Sequence, residues 1–406
     1  VWNTNVVEQV FDVSWGDPHE PLQPITMAAP RNGVCSGRIV VSSHQPMKGF
    51  RAEITRLAGP NGAVLPPSTV KVWYGKFDSP RSSRWGGGSD MSYVQWGPLP
   101  RLREDALVDL SSGEVSVSVK ELPFQVAPQS RLADGLPAQL VNGALQSVWL
   151  TVEVPKDARP GDYRGTLTVK LVGHSPTRTP VELQVVDWVL PDPADYVYFM
   201  GMIQSPEAVA LTYDIPLWSD DHCRLVGKSL EWIGKLGPKV LYLPLAAESQ
   251  YGNERSLVLW IEGPDGKYTY DLSALEKYVD LALEQMGKPT FVPVGVWDSC
   301  AHTAVPRGLK RDHPRYSVLD SKSGEISNRN GPKHGTPESC RFWQPVLTKV
   351  HEILAARGLG SAMLLGNCAD YQPDKATVSV FHKILPQVGW QATRHHPTGH
   401  NKLAYD

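Results

Sequence analysis

The 406-residue chain has no long apolar run: no window approaches eighteen consecutive apolar residues, so no segment suits a bilayer-spanning helix. It has no charge bias either. With 40 basic and 42 acidic residues, no global field draws in nucleic acid or an anionic membrane surface. Cysteine is sparse, and Cys35, Cys223, Cys300, Cys340 and Cys368 are odd in number with no Cys-x-x-Cys pair, which argues against structural zinc. Cys223 lies in a helical pattern and Cys368 beside a strand end, where thiols act as small apolar groups. The chain opens at Val1 without a charged start leading into an apolar core, so a signal peptide is either already removed or not included.

Aromatics, by contrast, are plentiful. Thirteen Trp and fourteen Tyr supply flat faces that suit sugar rings, and core packing uses the same residues. A chain of this length exceeds what one core usually supports, and two domains are expected.

The two halves follow different grammars. From Val1 to about Pro191, short alternating runs separated by Gly, Pro, Asn and Ser predict an all-β domain of antiparallel strands in a sandwich. The runs include Arg38–Val41, Val70–Tyr74, Val148–Val154, Thr166–Leu171 and Val181–Val186. The turn-rich link from Pro155 to Asp162 predicts a hairpin joining the runs on either side of it.

After Pro191-Asp192-Pro193 the pattern becomes strand then helix, repeated from about Asp195 to Asp406. Strands are expected at Val197–Ile203, Lys239–Leu245, Thr290–Val296, Ala362–Leu365 and Trp390–Arg394. Helices are expected at Asp220–Leu236, Leu272–Met286, Thr336–Arg357 and Asp374–Leu385. The 298–335 segment lacks periodicity and reads as a substrate-contacting loop or a mobile insertion. Five βα units predict a TIM-like α/β barrel, yet eight units need about 250 residues. The barrel is therefore expected to be incomplete, either because the chain stops early or because the sheet stays open.

Barrel enzymes carry their chemistry at the carboxyl ends of the strands. The stretch Ser-Ala-Met-Leu-Leu-Gly-Asn-Cys-Ala-Asp-Tyr-Gln-Pro (361–373) places Asp370 at such an end, where it acts either as a catalytic carboxylate or as the cap of the next helix. Glu248 and Asp298 follow the second and third strands and are further candidate catalytic carboxylates. Trp297 gives Asp298 an indole wall, Gln204 follows the first strand, and His395 and His396 end the fifth, all as candidate sugar contacts. Adjacent histidines on a strand point to opposite faces, so these two do not readily share a metal ion. His302, His313 and His334 lie in the long loop and read as solvated. No metal or other cofactor is expected.

The sandwich whose late link reads Val-Pro-Lys-Asp-Ala-Arg-Pro-Gly-Asp-Tyr-Arg-Gly-Thr-Leu (154–167), feeding through Val186-Asp187-Trp188 into a barrel, resembles glycoside hydrolase family 123. The resemblance implies a secreted or periplasmic N-acetyl-β-hexosaminidase acting on a hexosamine-containing glycan. It also implies a substrate-assisted retaining mechanism, in which the substrate acetamido oxygen attacks the anomeric carbon. One carboxylate then orients the acetamide while a neighbouring acid protonates the leaving oxygen. The family's adjacent Asp-Glu pair falls on Asp370-Tyr371, where only the Asp matches. Tyr371 is then a sugar contact, and the acid comes from Asp298 or Glu248. Two alternatives stand beside this: a non-catalytic carbohydrate-binding protein on the same scaffold, and an assembly module whose sandwich mediates protein contacts.

Overall fold

The computed structural model describes residues 1–79, 103–109, 113–122, 139–197, 201–237, 240–249, 251–297, 312–368 and 373–393. The chain divides into two compact units, Val1–Pro191 and Asp192–Asp406.

The first unit is built of strands. One sheet runs in the order Trp2–Asn3, Val34–Ser43, Gln139–Glu153, Val70–Ser79, Arg103–Val108, with Ser118–Leu122 on the start of Gln139–Glu153. A second runs Ile25–Arg31, Thr177–Val189, Gly161–Lys170, Arg51–Ile54. Alternation explains the burial: Val148, Leu150 and Val152 of one sheet and Val181, Leu183 and Val185 of the other share one apolar cluster with Ile39 and Leu167.

Two expectations fail here. Gln139–Glu153 and Gly161–Lys170 are not a hairpin, because each pairs within a different sheet and the link between them crosses from one sheet to the other. Nor is the second sheet wholly antiparallel, since Ile25–Arg31 runs parallel to Thr177–Val189. Turn residues reveal that the chain reverses but not which edge each strand finds.

Between the first sheet and the chain start lies a buried ion pair. Arg38 Nη1 bonds Glu104 Oε2 at 2.9 Å, with side chains only 2% and 7% exposed. Arg38 Nη2 also donates to the carbonyls of Asn5 and Glu8, and Glu104 Oε1 accepts from Trp149 Nε1 and Ser147 Oγ. A Cβ on Gly75 would fall on Glu104 Oε1 and Ser147 Oγ, so only glycine leaves that path open.

In the second unit, helices form where the capping chemistry predicts. Ser219 Oγ accepts from His222 N and starts Asp220–Lys235, which buries Val226, Leu230 and Ile233 at helical spacing. Thr336 caps Pro337–Ala356, and Ser273–Gln285 and Lys375–Ile384 follow the same logic of one apolar face. Four strands, Leu243–Pro244, Val292–Gly295, Met363–Cys368 and Trp390–Thr393, make a parallel sheet in that order. Among the described residues this is a half-barrel sheet rather than a closed barrel.

Three features depart from expectation. Val197 and 201–203 carry no strand, and 198–200 lie outside the described residues. An additional helix, Pro206–Tyr213, is capped by Ser205. A second sheet, Tyr268–Asp271, Leu259–Glu262, Arg315–Asp320, Ile326–Asn330, takes in part of the 298–335 segment read as a loop. Its strands are short and polar on one face, which hides them from a periodicity reading.

Breaking the buried pair should be costly because it strands a charge. Arg38→Met should lower the unfolding free energy by about 3 kcal/mol or more, and adding Glu104→Met should recover part of the loss. Urea unfolding of both variants checks this.

Candidate functional site

The parallel strands all present their carboxyl ends at one edge, and the hairpin sheet is tied to that edge. The amides of Leu245 and Ala246 donate to Gly295 O at 2.9 and 3.0 Å, and Ala247 N donates to Arg315 O at 2.8 Å. Glu248 comes next, with φ +52°, a left-handed conformation unusual for a non-glycine residue. Arg315 holds its carboxylate through Nε at 3.2 Å and Nη2 at 3.0 Å, and Asn328 Nδ2 adds a bond at 3.1 Å. Three donors thus hold both oxygens of this carboxylate.

Asn328 also donates to Glu254 O at 2.7 Å and accepts from Ser317 Oγ at 2.7 Å, so the hairpin sheet and the 246–256 loop form one network. Glu207, in the first turn of the Pro206–Tyr213 helix, accepts from the amides of Glu254 and Arg255 at 2.5 and 2.9 Å. Burial raises its pKa despite those bonds. Gln204 is buried, accepts from Tyr278 Oη at 3.0 Å and donates to Val226 O at 3.4 Å. Its amide is thus turned to the helices.

Trp297 lies at the end of Val292–Gly295 as expected, but it is 6% exposed and belongs to the apolar cluster. Its ring stands 6.3 Å from that of His334, inclined at 53°. The hairpin puts His334 there. Below its strands the pairing continues through Gly331 N to Pro314 O and His334 N to Asp312 O, both 2.8 Å. His334 is half-buried rather than solvated: both ring nitrogens are shielded, and among the described residues they have no hydrogen-bond partner. Burial, and then the charge of His313, push its pKa down to about 4, while Asp374 and Asp312 oppose the shift.

Asp298, Asp370, Tyr371, His395 and His396 lie outside the described residues. One alternative for Asp370 is nevertheless closed. The Lys375–Ile384 helix is capped by Asp374, whose Oδ1 accepts from Thr377 N at 2.8 Å. Among the described residues no group of three His, Cys, Asp or Glu side chains is placed to hold a metal ion, and no helix is long and apolar enough to cross a membrane.

The structure therefore brings Glu248, Arg315 and Asn328 together at one end of the parallel sheet, and Trp297 and His334 at the neighbouring strand. Sequence reasoning missed Arg315, Asn328 and Glu207. Ser205-Pro206-Glu207 is a helix-start signal that marks Glu207, and the alternation in Arg315–Asp320 marks a strand.

Residues 204–398, just under half of the chain, match the family model of the glycoside hydrolase 123 catalytic domain. The structure of a family 123 glycoside hydrolase from Clostridium perfringens, described as showing the details of glycolipid glycan hydrolysis, is similar over 91% of this chain. The TM-score is 0.65 and the identity 14%, so the likeness is one of fold. The chain covers 58% of that protein's length. A Bacteroides ovatus GH5 xyloglucanase (TM-score 0.19, 12% identity, 90% of this chain and 61% of that one) is too distant in shape to carry an argument. The same holds for PapD-like domain 7 of human CEP192 (TM-score 0.16, 8% identity, 43% and 95%). No curated protein matches the sequence.

His334 gives the fold a pH dependence. Its folded value lies below the ordinary 6.5, so the unfolded chain binds more protons between about pH 4 and 6.5. Stability is full above that window and is lost as pH falls through the folded value. Urea unfolding across the window should show the slope, and His334→Gln should reduce it.

Proposed function

We propose that the chain is a glycoside hydrolase acting on a hexosamine-containing glycan by a substrate-assisted retaining mechanism. The observation that carries this reading is the family 123 catalytic-domain match, which spans the carboxyl ends of all four parallel strands. On this reading the N-terminal unit is a β-sandwich, supported by the apolar cluster its two sheets share, and the C-terminal unit is a partial barrel. An extracellular or periplasmic setting goes with a glycan substrate.

Asp370 orients and stabilises the acetamido group while its oxygen attacks the anomeric carbon. The capping role of Asp374 supports this by removing the simplest structural use for Asp370. The leaving oxygen takes its proton from a second carboxyl group. Asp298 is the better source of the two proposed, since Glu248 is engaged by Arg315 and Asn328. Tyr371, His395 and His396 are the proposed sugar contacts.

One observation favours a second reading. Tyr371 stands where the family's acid is expected, and a phenol holds its proton too firmly for acid catalysis near neutral pH. A carbohydrate-binding protein that has lost turnover fits that substitution.

The readings separate on an aryl N-acetyl-β-hexosaminide. The enzyme reading expects hydrolysis, lowered by Asp370→Asn at least about tenfold, or roughly 1.4 kcal/mol, with unchanged folding. Binding without hydrolysis supports the second reading.

A further inference from the structure

Asn-Gly occurs four times in the chain, at Asn32, Asn61, Asn142 and Asn330. An asparagine followed by glycine is open to ring closure, because no Cβ shields the glycine nitrogen from the side-chain amide. The fold protects three of the four. Asn32 Nδ2 donates to Leu190 O at 2.9 Å, while the amide of buried Gly33 donates to Pro30 O at 3.1 Å. Asn330 Oδ1 accepts from Arg315 Nη1 at 3.2 Å, while the amide of buried Gly331 donates to Pro314 O at 2.8 Å. Asn142 and Gly143 pair in register with Val119 and Ser118, and the Trp15 ring stands where a Gly143 Cβ would go.

Asn61-Gly62 is different. Both residues are exposed, and the Asn61 side chain has no hydrogen bond among the described residues. Asn61 has φ +53° and ψ +37°, Gly62 has φ +76°, and Ala63 N donates to Pro60 O at 3.0 Å. Two left-handed central residues make this a type I′ turn, which Asn-Gly suits. Ring closure requires the Asn61 ψ to rotate out of the turn. Apart from chain neighbours, no atom lies within 4 Å of where a Gly62 Cβ would stand, so the tip loses few contacts when it opens. The stem is fixed: Gly59 N donates to Ala63 O at 2.7 Å and Leu65 N to Leu57 O at 3.1 Å, and both leucines lie in the apolar core.

We propose that Asn61 is the Asn-Gly site at which the chain spontaneously deamidates, and that its isoaspartyl product loosens the core of the N-terminal unit. The Gly62 nitrogen gives its proton to a solvent base and attacks Asn61 Cγ. The N–Cγ bond forms, the Cγ–Nδ2 bond breaks, and the side-chain nitrogen takes up a proton and leaves as ammonia. Water then opens the cyclic imide. Opening at Cγ leaves aspartate, and opening at the Asn61 backbone carbonyl sends the main chain through the side chain as isoaspartate. That product adds a methylene to a turn with no room at its base, where a Cβ on Gly59 would meet Tyr163 and one on Gly161 would meet Pro60.

The test ages the whole chain in warm, mildly basic buffer and maps its peptides by mass. The peptide carrying Asn61 should gain one dalton at least about tenfold faster than those carrying Asn32, Asn142 and Asn330, where hydrogen bonds must break first. Asn61→Gln, which would have to close a larger ring, should suppress the gain. The aged chain should unfold at lower urea than Asn61→Gln aged beside it, whereas fresh Asn61→Asp, which carries the charge without the added methylene, should keep the midpoint of the fresh chain. No gain at Asn61, or equal gains at all four pairs, would overturn the site. A gain at Asn61 with the urea midpoint unchanged would overturn the loosened core.

Discussion

The stacking of Trp260 on Phe342 holds the second unit's functional edge together. The rings lie 5.3 Å apart and 3° from parallel, with Trp343 at 5.9 Å and Tyr316 at 5.0 Å approaching Trp260 edge-on. Trp260 and Tyr316 belong to the hairpin sheet, and Phe342 and Trp343 to the Pro337–Ala356 helix. Aromatic contacts of this kind add about 0.5–1.5 kcal/mol each beyond the area they bury. Val318 of the same sheet joins these rings in the unit's apolar core. Arg315, Asn328 and His334 all ride on that sheet or its extension, so their positions depend on it.

Around this apolar anchor the site carries costs that the anchor must offset. Glu248 sits in a left-handed conformation, and the shielded ring nitrogens of half-buried His334 have no partner among the described residues. Outliers of that kind cost about 1–3 kcal/mol each and survive only where surrounding contacts over-determine them. Here those contacts are visible. The Arg315 clamp fixes Glu248, and paired backbone bonds fix His334. The N-terminal unit solves a similar problem differently, since its buried Arg38 and Glu104 are satisfied mainly by each other, by the Asn5 and Glu8 carbonyls and by Trp149.

Much of the helical frame was readable in the sequence, because caps such as Ser219 and Thr336 and apolar spacing such as Val226, Leu230 and Ile233 are local signals. The buried strand 363–368 was readable for the same reason: an apolar run too short for a helix between two helical patterns. Pairing was not, since whether Gly161–Lys170 joins Gln139–Glu153 or Thr177–Val189 is decided by long-range packing. The hairpin sheet escaped because Ile326–Asn330 is polar and Arg315–Asp320 short. Strand-end logic placed Trp297, whose burial it did not foresee, and Glu248, whose partner Arg315 lies 67 residues further on, after strands that the structure contains. His334 looked like a loop histidine, and only tertiary structure reveals that its ring nitrogens are shielded.

Whether this scaffold catalyses or merely binds is answered most directly by comparing two ligands. A cyclic thiazoline of the N-acetylhexosamine mimics the ring formed when the acetamido oxygen attacks the anomeric carbon, whereas the open N-acetyl sugar does not. A site built for that attack should bind the thiazoline at least about 100-fold more tightly, because catalytic sites are complementary to the reacting state. Calorimetry on the whole chain measures both affinities. Equal affinities would contradict a substrate-assisted glycosidase and leave a carbohydrate-binding protein in its place.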